Sequence, residues 1–407
     1  MRARVRRIAV VSAFTPDAVR AAGGPWSDWA DIRLAAAERF VAASLPSPEE
    51  EIWRYSRIDH LDLDQFRPER VDTVIEGPAA LLAELVVDGE PELFPENAPD
   101  VFAELNRAFM TPTVIRIPAG RVVAEPIVVT HTIAGSGVAV FPRLVVDAGP
   151  DSEVTVVERF VAAAGAEDDH ALVVPVLQVL AGQAARVRYL AINETGTDTW
   201  QIGNQQSVGE RDSLTMLATV TLGGDYVRAR TEARLSGKGG STKQVALYFA
   251  GGTQMHDFRT IQDHDAPHTS SDLLFKGAVQ DHAASVYTGL IKIRKHAGGS
   301  VAYQTNRNLT LSEGAWAESV PNLDIETNDV KCSHASTVGP IDEEQRFYLE
   351  SRGVRPVVAE RLVVLGFFDE VIAQLPVGEL VDDLRLRVSN KLDLGSSLSA
   401  TPVGASA

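Results

Sequence analysis

The chain of 407 residues contains a single cysteine. One thiol excludes an internal disulfide, and with it the stapled scaffold of a small secreted domain. Aromatic residues amount to 6% and do not cluster on the β-rich stretches. That scarcity disfavours an aromatic-lined glycan groove. Basic charge is also short: 38 Lys and Arg stand against 55 Asp and Glu, a formal balance of −17. Non-specific binding to nucleic acid or to an anionic membrane needs a basic field, so neither is expected. No apolar run approaches the roughly 18 residues that span a bilayer. The start, M-R-A-R-V-R-R-I-A-V-V-S-A-F-T-P, imitates a signal peptide. Its apolar run from Ile8 to Phe14 is short, however, is broken by Ser12 and leads to no A-x-A-like site, so an uncleaved, flexible start and a cytoplasmic location are expected.

Apolar residues make up 45% and charged residues 23%, enough for two or three domains or one elongated core with appendages. Trp26 to Ser44 reads as a helix, with Trp29, Ile32, Leu34, Ala35, Phe40 and Val41 at three-to-four spacing. Ser47-Pro48 followed by Glu49, Glu50 and Glu51 reads as a second helix start. Leu81–Val87 and Val101–Phe109 are two further helical candidates. From about Thr113 the texture changes to β-branched runs with period-two alternation, such as P-I-V-V-T-H-T-I and V-T-V-V-E-R-F-V. Small polar turn clusters recur near Gly149, Gly182, Gly209, Gly237, His268 and Gly298. Their spacing of roughly 30 residues is the signature of stacked coils, whereas a sandwich turns every 8–12 or so without a longer period. After Gly339 helices resume: Asp342 caps E-E-Q-R-F-Y-L-E-S-R, Gly353 ends it, and Pro356 opens V-V-A-E-R-L-V-V-L. Val363, Val364, Leu365, Phe367 and Phe368 exceed what a short terminal helical pair buries alone, so they face a partner or pack on the end of the solenoid. The expected architecture is mainly β, a β-solenoid over 111–338. It lies between an N-terminal α-rich domain, 1–110, and a C-terminal helical domain, 339–394, with a small-residue disordered tail, 395–407.

The chemistry concentrates in P-N-L-D-I-E-T-N-D-V-K-C-S-H-A-S-T-V-G, from Pro321 to Gly339. On a strand Cys332 and His334 project side by side, with Ser333 on the other face. A thiolate beside an imidazole is a soft ligand pair for iron, zinc or copper, and two ligands alone cannot close a tetrahedral site. The plain alternative is a small buried hydrophobe and a hydrogen-bonded strand histidine. His256, His264, His268 and His282 form a second group, in which Pro267 breaks any helix that would align a ligand pair; stacking between coils is its structural alternative. Ser236-Gly-Lys-Gly-Gly-Ser-Thr-Lys243 lacks the spacing of a phosphate loop and precedes a strand, so no nucleotide is expected on this chain.

The run L-D-I-E-T-N-D-V-K-C-S-H-A-S-T-V-G, with V-Y-T-G-L-I-K-I, A-W-A-E-S-V-P-N-L-D-I-E and F-Y-L-E-S-R-G-V, resembles the SufB/SufD family of iron–sulfur cluster assembly. The K-C-S-H form resembles its SufD side, since the SufB side usually has a Glu between Cys and His and is richer in cysteine. The match is best over about 240–375; further upstream, Glu51, Trp53 and Arg54 match an E-x-W-R element. The resemblance implies a right-handed parallel β-helix flanked by helical domains and acting as a non-enzymatic scaffold. It implies pairing with a SufB-like subunit through the β-helix end, or a homodimer when the chain is alone, and docking of a SufC-like ABC-type ATPase. It places Cys332 and His334 at the paired interface, holding transient iron or an iron–sulfur cluster with ligands from the partner. It puts ATPase docking on the segment from Asp342 to Leu375, which includes Phe347, Tyr348, Arg352, Gly353, Val364, Phe367 and Phe368. Two alternatives stand beside it: a SufB-like scaffold or homodimeric relative, which would want more cysteines, and a β-helix carbohydrate-active enzyme, which would want clustered carboxylates. The Arg-rich start and Ser/Ala tail have no counterpart in the family pattern.

Overall fold

The structure, a computed structural model, describes residues 13–21, 29–87, 89, 93–94 and 98–394. Residues 1–12 of the signal-peptide-like start and the Ser/Ala tail lie outside the described residues, while Phe14, at the end of the apolar run of that start, is buried in the core. Two sheets wind together along the chain, one of 11 strands that ends on Trp316–Ile325 and one of 9 that ends on Val330–Gly339. Successive coils contribute to both, giving a solenoid of about 8 turns. The ladders are parallel, apart from Asp72–Glu76, which runs antiparallel to Ile127–Ile133.

The period of the sequence originates in the turns. Asp151, Ala184, Asp212, Gly239, His268 and Gly299 occupy equivalent corners of successive coils, all with φ between 56° and 76°. Each corner N–H donates to the carbonyl just before the corner of the next coil: Asp151 to Gln183, Ala184 to Arg211, Asp212 to Lys238, Gly239 to Pro267 and His268 to Gly298, at 2.8–3.3 Å. A left-handed residue other than glycine costs about 1–2 kcal/mol, and the ladder bond that the conformation makes offsets it.

The solenoid interior changes character along its length. Early coils enclose Ile115, Ile117, Val129, Leu144, Val146, Val156 and Leu177, all almost fully buried. Later coils enclose Tyr248, Phe258, Phe275 and Tyr287 together with Gln244, Gln262, Gln304, Asn306 and Asn308.

Among the described residues four N-terminal helices, α1 (Pro16–Ala21), α2 (Ala30–Ala42), α3 (Ala79–Leu85) and α4 (Val101–Phe109), precede or interrupt the first strands. Asp100 caps α4 by accepting from the N–H groups of Phe102 and Ala103, both at 3.0 Å. Phe14, Phe40, Trp53, Phe102 and Phe109 pack with Phe141, Leu172, Trp200 and Tyr226 on the outer face of the larger sheet. The helix expected after Ser47-Pro48 is only a 3-10 turn, Glu51–Trp53. Ser47 does accept from the Glu49 N–H, but the chain then leaves helical geometry because two solenoid arginines take its carbonyls. Arg228 donates to the Ile52 carbonyl at 2.6 Å and Arg259 to that of Arg54 at 2.7 Å, and Tyr55 is left-handed at φ 66°. Trp53 lies under the Arg228 guanidinium, 3.7 Å from its ring centroid.

At the other end come α5 (Glu343–Ser351), α6 (Pro356–Ile372) and α7 (Val381–Asp393). Val364 and Phe368 of α6 are fully buried against the outer face of the smaller sheet, in the cluster of Val245, Leu247, Phe249 and Leu274. The apolar helix thus covers the flank of the solenoid instead of its end. Two lysines, buried Lys276 and half-buried Lys391, pin the helical cover. Lys276 donates to the Phe367 carbonyl at 2.8 Å, and Lys391 bonds the Leu222 carbonyl and, at 2.6 Å, Gln254.

Candidate functional site

The last coil leaves both sheets open. Among the described residues Val330–Gly339 pairs only with Ser300–Thr310, and Trp316–Ile325 only with Ala284–Ile293. Val330–Gly339 is largely exposed and Trp316–Ile325 mostly half-buried, and Trp316, Leu323, Ile325 and Val338 are exposed apolar side chains on them. An unpaired parallel edge with exposed apolar residues is a surface that another chain can extend.

Register shows which way the pair faces. Cys332 continues the column of Ala302, and His334 that of Gln304; both neighbours are buried inside the solenoid. Side chains two apart on a strand share a face, so Cys332 and His334 both sit over the mouth of the interior, with Ser333 on the opposite face. Cys332 is half-buried, packed with Ile291, Ile293 and Ala302, and burial pushes its thiol pKa up. His334 is exposed. Across the mouth the hydroxyl of Ser336 donates to that of Ser319 at 2.6 Å, joining the last strand of each sheet. Among the described residues no group of three or more His, Cys, Asp or Glu side chains is placed to hold a metal ion. The pair itself provides two soft donors facing one way, an incomplete set that a second chain could complete.

The other histidines are dispersed. Both nitrogens of His264 are engaged, Nδ1 with Thr269 at 2.7 Å and Nε2 with Ser271 at 2.8 Å. His256 is wholly buried, with Nε2 3.3 Å from the Gly223 carbonyl. Burial lowers their pKa values to about 4 and about 3, so both are neutral imidazoles of the interior. His268 and His282 lie in turns, against Gly299 and Gly314.

The segment from Asp342 onward divides. Asp342 caps α5, accepting from the N–H groups of Glu344 and Gln345, and Gly353 ends the helix at φ 86°. Phe347 and Tyr348 are 71% and 58% exposed, and the Arg352 guanidinium lies 5.2 Å from the Tyr348 ring centroid. Tyr348 borders a cleft of ≈ 830 Å³ that also takes in Lys276, Leu362 and half-buried Phe367. Val364 and Phe368, expected among the partner contacts, are instead inside, because the apolar stripe of α6 packs on the sheet.

Sequence reasoning missed the arginine clamp. Asp257, wholly buried, accepts from Arg228, from Arg259 Nε at 2.9 Å and from Tyr226 at 3.1 Å. No local motif marks these residues; they meet because Arg228 and Asp257 pair in register on adjacent strands.

Fold and site together define the class: a parallel β-solenoid protein with helical flanks and an incomplete soft donor pair on its open coil. Residues 131–367 match the family described as the SUF system FeS cluster assembly SufBD core domain. The chain is 33% identical over 377 residues to an iron–sulfur cluster assembly SufBD family protein of Mycobacterium bovis, covering 89% of this chain and 93% of that one. It is 25% identical over 392 residues to the iron–sulfur cluster assembly protein SufD of Escherichia coli, covering 88% and 92%. It is 31% identical over 265 residues to SufD of Bacillus subtilis, covering 64% and 60%. The chain belongs to the SufBD family, whose role is iron–sulfur cluster assembly. Within it the SufD-named relatives agree with the SufD-like form K-C-S-H. No helix among the described residues is long and apolar enough to cross a membrane.

Proposed function

We propose that this chain is a non-enzymatic, SufD-type scaffold subunit that pairs through its last coil with a SufB-like subunit and docks a SufC-like ATPase on its C-terminal helices. Nascent iron or an iron–sulfur cluster is the cargo, held at the paired interface by Cys332 and His334 with further ligands from the partner. The observation that carries this reading is the placement of both donors on the inward columns of an open terminal coil. A single thiol is enough where the partner brings others, and an incomplete set releases cargo that a closed structural site would retain. Exposed Phe347, with exposed Tyr348 lining the Lys276 cleft, supports docking on the helical side, and ATP-driven movement of that partner would pull on α6 and α7.

The test is anaerobic co-expression with SufB-like and SufC-like partners, comparing wild type with Cys332→Ser and His334→Ala. The expected result is that the complex persists while its iron and sulfide fall sharply in both variants. Full iron and sulfide loading in both would overturn the assignment. Isolation of the chain only as a self-pair in the presence of both partners would overturn the pairing.

A further inference from the structure

We propose that the interior of the last coils binds a file of ordered water molecules, held by the side-chain carbonyls of Gln244, Gln262 and Gln304 and ending beneath the Cys332/His334 mouth.

The three glutamines are 0%, 0% and 2% exposed. The amide nitrogen of Gln244 donates to the Ile261 carbonyl at 3.5 Å, and that of Gln262 to the Tyr303 carbonyl at 3.3 Å. The Oε1 atoms of all three find no donor among the described residues. Turning the amide of Gln244 or Gln262 over would set two carbonyl oxygens face to face and strand an N–H group instead. A buried acceptor left dry costs its whole desolvation, and three in neighbouring coils of one interior ask for a small mobile donor.

Their positions form a path. Leu217, Gln244, Leu273, Gln304 and His334 occupy one column of the smaller sheet, coil upon coil. Gln262 lies in a column of the larger sheet, between Ala233 and Ile291. Near the top, polar groups pack tightly over a glycine: a Cβ on Gly289 would come within 2.4 Å of the Tyr287 hydroxyl and 2.5 Å of both amide atoms of Gln304, so these groups fill the place a side chain would take. The Tyr287 hydroxyl meets that of Thr260 at 2.8 Å, and Tyr248 bonds Asn306 and Asn308 at 2.9 and 2.6 Å, lining the same coils with polar groups. Deeper in the solenoid, Glu158, Tyr189, Gln201 and Gln205 border a cavity of ≈ 10 Å³, about the room that one water needs.

The file rests on the interior alone, whatever the mouth carries. Joined to the proposed function, it gives the inward side of the Cys332/His334 pair a polar, exchangeable floor that persists when a partner covers the outside.

A high-resolution crystal structure of the full chain decides the matter. The expected result is a water within hydrogen-bond distance of each of the three Oε1 atoms. Carbonyls without adjacent density, or met by protein donors, overturn the proposal. A thermal comparison gives an independent sign: Gln262→Met lowers the unfolding midpoint if it removes a water's anchor, and raises it if it fills a dry site with an apolar group. Neither readout depends on iron loading, so failure of the file and failure of the cluster assignment are separable.

Discussion

Asp257→Asn is the substitution whose effect the clamp fixes most sharply. The native carboxylate is wholly buried and faces two guanidinium groups, on Arg228 and Arg259, which are 4% and 9% exposed at the side chain. Tyr226 adds a third donor, and burial followed by the neighbouring carboxylate holds its phenol far above the ordinary range. Asparagine keeps the shape and removes the charge, so Arg228 becomes a buried cation that has lost the carboxylate bonded to it, and an amide N–H is turned toward a donor. Breaking a buried pair from one side costs about 3–5 kcal/mol. Arg228→Met should cost less, about 2–3 kcal/mol, because Arg259 and Tyr226 still satisfy the carboxylate while the bond to the Ile52 carbonyl and the stacking on Trp53 are lost. Urea unfolding followed by tryptophan fluorescence reads both, since Trp53 lies under Arg228 and the Trp200 ring is 4.7 Å from that of Tyr226. A loss below about 1 kcal/mol for Asp257→Asn would refute the reasoning, as would a larger loss for Arg228→Met; either would mean that packing of Trp53 holds the N-terminal segment.

Acid should weaken the fold in a defined window. His256 and His264 are held neutral by burial, with pKa values near 3 and 4 against an ordinary 6.5. Between those limits the unfolded chain binds protons that the native chain does not, so stability falls as pH drops from about 6.5, by up to about 1.4 kcal/mol per pH unit for each histidine. Urea midpoints across that range measure the slope, which His264→Asn should reduce; a flat profile would refute it. Burial also pushes Lys391 down from 10.5 to about 7, which gives a slope of the same sign above that pH. Lys276→Met keeps the stem but removes the bond to the Phe367 carbonyl and the contact with its ring, 4.6 Å from the ammonium. The expected outcome is attachment of α6 weakened by about 1–3 kcal/mol, seen as faster amide exchange over 356–372, and unchanged protection there would contradict it.

The sequence alone determined the solenoid, because a corner that repeats once per coil leaves its glycines and polar residues at a regular spacing along the chain. It also determined the Cys332/His334 pair and α4, whose Asp100 cap and apolar stripe are local features. It misread the segment after Ser47, where good helix-start chemistry yields to Arg228 and Arg259, which lie more than 170 residues away. It also left open where the apolar residues of α6 go, since a stripe records that it is buried but not against what. Only the tertiary structure decided that Cys332 and His334 face the mouth of the interior, because that depends on register with Ala302 and Gln304 in another coil. The arginine clamp and the unpaired glutamine carbonyls belong to the same class. Parallel stacking places residues from successive coils side by side, and a contact between coils leaves no local trace in the chain.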